Sequence, residues 1–157
     1  MLEATLNRAA IATRIPHQGS MCLLDSVLDW SPEAIRCRAS SHRAADNPLR
    51  AEGRLGAACG IEYAAQAMAV HGALLADSSQ RPRQGYLASV RGVELFVSRL
   101  DDIADDLELV AERLSGDNNN VLYQFTVSAA GRELLRGRAA VILDAEQTLS
   151  LSSVRGE

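Results

Sequence analysis

The 22 residues from Leu55 to Ala76 contain a single charge, Glu62. The length approaches that of a membrane span. The composition does not fit one: the segment is rich in Ala and Gly rather than Leu and Ile, and it carries Glu62, Gln66 and His71. Polar groups of this kind are costly in lipid. The segment therefore reads as one long helix buried inside protein. A helix that is apolar on nearly every face has to be enclosed rather than laid on a surface. The rest of the chain must supply the cover.

Strand-like runs lie on both sides of that helix. Met21 to Trp30 is apolar and bounded by turn signals, and Ala34 to His42 alternates, with Ile35, Cys37 and Ala39 on one face and Arg36, Arg38 and Ser40 on the other. That alternation marks a strand with one wet face. After the helix come Gly85 to Val97, Leu107 to Leu114, Val121 to Ala129 and Glu133 to Leu143. The last three are separated by Asp117-Asn118-Asn119-Asn120 and Ala129-Ala130-Gly131, residue types that tolerate tight turns. The order β-β-α-β-β-β-β predicts an α+β domain, with a curved antiparallel sheet of five or six strands around one central helix. Such a sheet leaves edges that dimerisation would pair. Residues 1–14 are expected to form an arm or short helix, 15–144 the domain, and 145–157 a frayed tail. The length suits a single domain.

Charge and cysteine content exclude several classes. A net charge of −4 and a pI near 5.4 argue against nucleic acid as a partner. All 16 basic residues are Arg, so no lysine is present to form a Schiff base. Cys22, Cys37 and Cys59 are scattered and odd in number, which predicts free thiols and no disulfide framework. The three histidines and three cysteines have no ligand spacing, so no metal is expected. Met1 to Arg14 has no apolar signal-peptide core, and a cytoplasmic, non-membrane protein is expected.

Glu62 carries most of the chemical information. A carboxylate in so apolar a segment suits general acid–base work if it is buried. If it lies at the helix start, it instead favours the helix dipole and is partly solvated. Gln66 is four residues on, shares its face and is placed to orient it. His71 is nine residues on and about half a turn out of phase, so it is expected in the core or an interface. Gly56 and Gly60 either let a ligand approach the backbone or permit close packing against the sheet.

These residues resemble the hotdog-fold superfamily, and within it the (3R)-hydroxyacyl-(acyl carrier protein) dehydratases. Ile15-Pro16-His17-Gln18-Gly19-Ser20-Met21-Cys22-Leu23-Leu24-Asp25-Ser26-Val27-Leu28 is similar to the family's N-terminal segment. Gly60-Ile61-Glu62-Tyr63-Ala64-Ala65-Gln66-Ala67 is similar to its helix motif. The whole string, including Asn47-Pro48-Leu49-Arg50 and Gly85-Tyr86-Leu87-Ala88-Ser89-Val90, resembles a divergent branch associated with aryl-polyene or fatty-acid-like biosynthesis.

The resemblance implies elimination of water from a 3-hydroxyacyl thioester carried by acyl carrier protein. No cofactor is implied beyond the phosphopantetheine or CoA that carries the substrate. In this family a loop histidine of one subunit works with the helix carboxylate of the other. Glu62 matches the carboxylate, but no His lies between Asn47 and Glu62. With Glu62 as acid, His17 is the first candidate base and His42 the second. Gly60 N–H would polarise the thioester carbonyl, and Gln66 would line the substrate site. Asn47 lies 15 residues before Glu62, a spacing found in some hotdog thioesterases. Arg50, Arg54 and Arg83, with Arg81 and Arg91, are candidates to dock an acidic carrier protein. Two alternatives stand beside the dehydratase: an acyl thioesterase, and a non-catalytic subunit that binds acyl chains or partners an active dehydratase. The expected assembly is a homodimer, or a heterodimer with another hotdog subunit.

Overall fold

A computed structural model describes residues 6–76, 85–117 and 120–143. The elements are β1 (Leu6–Asn7), α1 (Arg8–Ala12), β2 (Ser26–Ser31), β3 (Ala34–Ala39), α2 (Gly60–Leu75), β4 (Gly85–Leu95), β5 (Leu107–Gly116), β6 (Asn120–Ala129) and β7 (Arg132–Leu143). All seven strands form one antiparallel sheet in the order β1-β2-β3-β5-β6-β7-β4. The six expected strands are present, and the two-residue β1 is added beside β2. Helix α2 packs on β3, β4, β5 and β6.

Period-two burial explains the sheet. In β3, Ile35, Cys37 and Ala39 are buried while Arg36 and Arg38 are exposed. In β6, Val121, Tyr123, Phe125, Val127 and Ala129 turn inward. The wet face carries ion pairs: Arg36 with Asp29 and Glu108, and Arg38 and Arg43 with Asp106. Cys22 and Cys37 are buried free thiols, and burial pushes Cys37 up to about 12.

Three boundaries differ from expectation. Met21 to Leu24 is not strand: Gly19–Met21 forms a 3-10 turn, and β2 begins only at Ser26. Cys22, Leu23 and Leu24 are buried consecutively, a pattern no half-buried strand can have. The second strand stops at Ala39, and His42 lies in a 3-10 turn, Ser41–Arg43. The long helix begins at Gly60 rather than Leu55. Leu55 is instead tied to the loop after β4, where its N–H donates to Asp101 Oδ1 (2.9 Å) and its carbonyl accepts from Leu100 (2.7 Å). Arg99 also pairs with Asp101 and, with the Leu55 N–H, holds its carboxyl well below the usual carboxylate range.

The enclosure of α2 is also incomplete within one chain. Tyr63, Ala64, Gln66, Ala67, Val70 and His71 are buried. Ile61, Glu62, Ala65, Ala69 and Gly72 are only half-buried, and their spacing puts them on one stripe. The tail from 145 lies outside the described residues.

Candidate active site

Glu62 occupies the first turn of α2 and its side chain is 36% exposed. It is therefore neither deeply buried nor free in solvent. His17 reaches it from the N-terminal segment, with Nε2 3.3 Å from Glu62 Oε2 and its own side chain 26% exposed. The two residues come from one chain and from the two motifs that carried the resemblance.

Gln66 explains why those motifs meet. It is fully buried one turn along α2 from Glu62. Its Oε1 accepts the Leu23 N–H (2.9 Å), and its Nε2 donates to the Met21 carbonyl (2.8 Å) and to Glu62 Oε2 (3.2 Å). A backbone N–H can only donate and a carbonyl can only accept, so these partners fix which end of the amide is which. One side chain thus joins the irregular Met21–Leu24 segment to the helix and steadies the carboxylate. Helical spacing pointed to the contact between Gln66 and Glu62. The pattern could not reveal the two backbone partners, because they depend on Met21–Leu24 not being a strand.

Other residues singled out from the sequence have different surroundings. His42 is fully buried, and its Nε2 donates to the Ile103 carbonyl (3.0 Å). Burial pushes its pKa down. Its ring is engaged on the loop before β5 and makes no contact with Glu62. His71 is a core residue, as its phase predicted: Nε2 donates to the Ser31 carbonyl and Nδ1 accepts from the Tyr123 hydroxyl, both at 2.7 Å.

Asn47 is almost wholly buried. Its Nδ2 donates to the Ser41 carbonyl (2.8 Å) and the Tyr63 hydroxyl (2.9 Å), and its Oδ1 accepts the Leu49 N–H (2.8 Å). Both amide hydrogens are engaged inside the protein, which leaves no donor for a substrate or a water. Ser41 Oγ, 2.7 Å from the Tyr63 hydroxyl, donates to the Leu23 carbonyl (2.8 Å). This network fixes the residue next to Glu62. Only the polar tip of Tyr63 in an otherwise apolar helix hinted at it.

The Gly60 N–H, expected to polarise a carbonyl, is bonded to the Ala57 carbonyl in the 3-10 turn Ala57–Cys59. The glycine has a packing reason, since a Cβ there would sit 2.7 Å from Leu135 Cδ2. Arg50 is a clamp that donates to the carbonyls of Ala44 (2.8 Å), Gly53 (3.0 Å) and His42 (3.4 Å). Arg54 and Arg91 are exposed. Arg81 and Arg83 lie outside the described residues. A polar cleft of about 570 Å³ adjoins this region, lined by Arg8, Ser20, Asp25, Ser41, Arg43 and Asp46 among others.

Among solved structures, the chain is similar to the dehydratase heterocomplex ApeI:P from Xenorhabdus doucetiae, at 24% identity and a TM-score of 0.72, covering 84% of this chain and 89% of that one. It is also similar to a Pseudomonas aeruginosa thioesterase (14% identity, TM-score 0.60, 90% and 98% covered). A Haemophilus influenzae thioesterase is similar too (7% identity, TM-score 0.59, 90% and 93% covered). At these identities the likeness establishes the hotdog fold. No curated protein is detectably similar in sequence. The model of the ApeP-like family, described as ApeP dehydratase, matches residues 9–150. That span takes in His17, Gln66, Glu62 and every strand from β2 to β7, and on it this chain belongs to the ApeP-like dehydratase family.

Proposed function

We propose that the protein eliminates water from a 3-hydroxyacyl thioester, with the reaction centred on Glu62, and that acyl carrier protein presents the substrate on phosphopantetheine. The contact between His17 and Glu62 carries this reading. The family's usual loop histidine is absent, yet an imidazole still stands beside the helix carboxylate. Elimination needs a group that removes the C2 proton and one that protonates the departing hydroxyl. A half-exposed carboxylate braced by the buried Gln66 amide and flanked by His17 meets the first requirement for such work, a fixed position.

The assembly belongs to the same proposal. The chain works as one member of a hotdog pair, homodimeric or heterodimeric, joined along β4. Among the described residues this strand is hydrogen-bonded to β7 alone, and it presents Leu87 and Leu95, with Phe96 just past its end, at 41%, 48% and 46% exposure. The half-buried stripe of α2 is a second surface that a partner would cover. The heterocomplex named ApeI:P is a similar chain found in a complex, which supports a second subunit here. Of the arginines singled out from the sequence, Arg54 and Arg91 are the described ones left exposed to meet an acidic carrier.

The test is turnover of a synthetic 3-hydroxyacyl thioester, free and carrier-bound, following enoyl product and free thiol together, with Glu62→Ala as control. Enoyl product that disappears in the variant is the expected result. Free thiol without enoyl product would make the protein a thioesterase. No reaction in either channel, alone or with a co-purifying hotdog subunit, would make it a non-catalytic partner.

A further inference from the structure

Within the dehydratase reading, on which it rests, we infer that Glu62 alone handles the protons of the elimination, through Oε1, while His17 and Gln66 position it by holding Oε2. The Gln66 amide sets the geometry. With Oε1 of that amide bound to the Leu23 N–H and one hydrogen of Nε2 on the Met21 carbonyl, its second hydrogen points at Glu62 Oε2. Oε2 must therefore accept. His17 Nε2 approaches the same oxygen at 3.3 Å. Oε2 is thus engaged by the Gln66 amide, and the His17 ring stands against the same oxygen.

Two consequences follow. Glu62 Oε1 has no hydrogen-bond partner among the described residues, so it is the oxygen that can receive a proton. The other histidine nitrogen, Nδ1, is buried and unbonded. One nitrogen of His17 faces Glu62 and the other faces the interior, which leaves neither to meet a substrate.

The step balances with one carboxylate. Glu62 Oε1 takes the C2 proton as the C2–H bond breaks, and the electron pair moves into the thioester as an enolate. The pair returns to form the C2–C3 double bond as the C3–O bond breaks. The departing hydroxyl takes the same proton from Oε1 and leaves as water. Glu62 ends as the carboxylate it began, and the product is the 2-enoyl thioester.

The experiment compares Glu62→Gln with His17→Gln, in the chain and in its complex with any co-purifying subunit. It measures elimination alongside exchange of the C2 hydrogen with deuterated water. Glu62→Gln is expected to lose both by about 10⁴-fold, the upper range for removing a proton-transfer group. His17→Gln keeps a polar side chain beside Oε2 and is expected to slow both together by no more than about 100-fold, the scale of a positioning defect. Glu62→Gln that still exchanges C2 hydrogen would show another base at work and overturn the inference. His17→Gln as inert as Glu62→Gln would overturn it too, by making the imidazole a proton carrier. A wild-type protein that neither eliminates nor exchanges would instead remove the dehydratase reading itself.

Discussion

Gln66 makes three hydrogen bonds from a fully buried amide, and its replacement therefore affects stability as well as chemistry. Gln66→Leu keeps much of the volume but strands the buried Leu23 N–H. A buried donor left without a partner costs about 1–3 kcal/mol. A matching fall in unfolding free energy is expected in urea titration, together with loss of turnover as Glu62 loses a brace. The buried histidines give a pH dependence of definite sign. His42 and His71 are both pushed below the ordinary value of 6.5 by burial. The unfolded chain then binds protons that the native chain resists, so stability rises with pH wherever the unfolded state is protonated. Their contribution is fully present above 6.5 and is lost as the pH falls from there through the lowered native values. Melting temperature measured from pH 8 downward should fall below about 6.5, and His71→Gln should flatten that fall.

At the scale of elements, the start of α2 gives the sharpest contrast. Gly60 and Gly56 were equivalent by sequence, and both admitted a ligand-binding or a packing reading. In the structure a Cβ at Gly60 collides with the buried Leu135, whereas one at Gly56 meets nothing within 4 Å. Gly60→Ala is expected to cost about 1–3 kcal/mol as an overpacked core position. Gly56→Ala, at φ −65° and ψ 154°, is expected to be neutral or stabilising by up to about 1 kcal/mol. Thermal melts of the two variants, run side by side, check the pair. The strands were legible in sequence because alternation reports burial directly, as in β3 and β6. Met21–Leu24 was not, because its burial follows from one distant side chain, Gln66. The site was legible to the same degree. His17 and Glu62 were visible as residues, but nothing local encodes the lone Oε1 or the walled-off Nδ1. His42 showed the reverse: a histidine near the motif whose ring is turned to the Ile103 carbonyl.

For the whole molecule, the polarity of the sheet matters most. Among the described residues, one end is β1, two residues long and followed at once by α1. The other is β4, eleven residues long and open along one side. Leu87→Glu and Leu95→Glu alter only exposed positions and should leave the fold of a single chain intact. If β4 is the seam, they weaken association at least about tenfold, equivalent to about 1.4 kcal/mol. Sedimentation equilibrium of each variant against wild type measures this, and unchanged association would place the seam elsewhere. A sheet with one long open edge has a valence of one. Two such sheets joined there expose, among the described residues, no comparable edge to a third, so assembly in the hydrogen-bonding direction closes at a pair instead of running on as a fibre. Among the described residues, the brevity of β1 is thus a stop signal for polymerisation as much as the openness of β4 is an invitation to it.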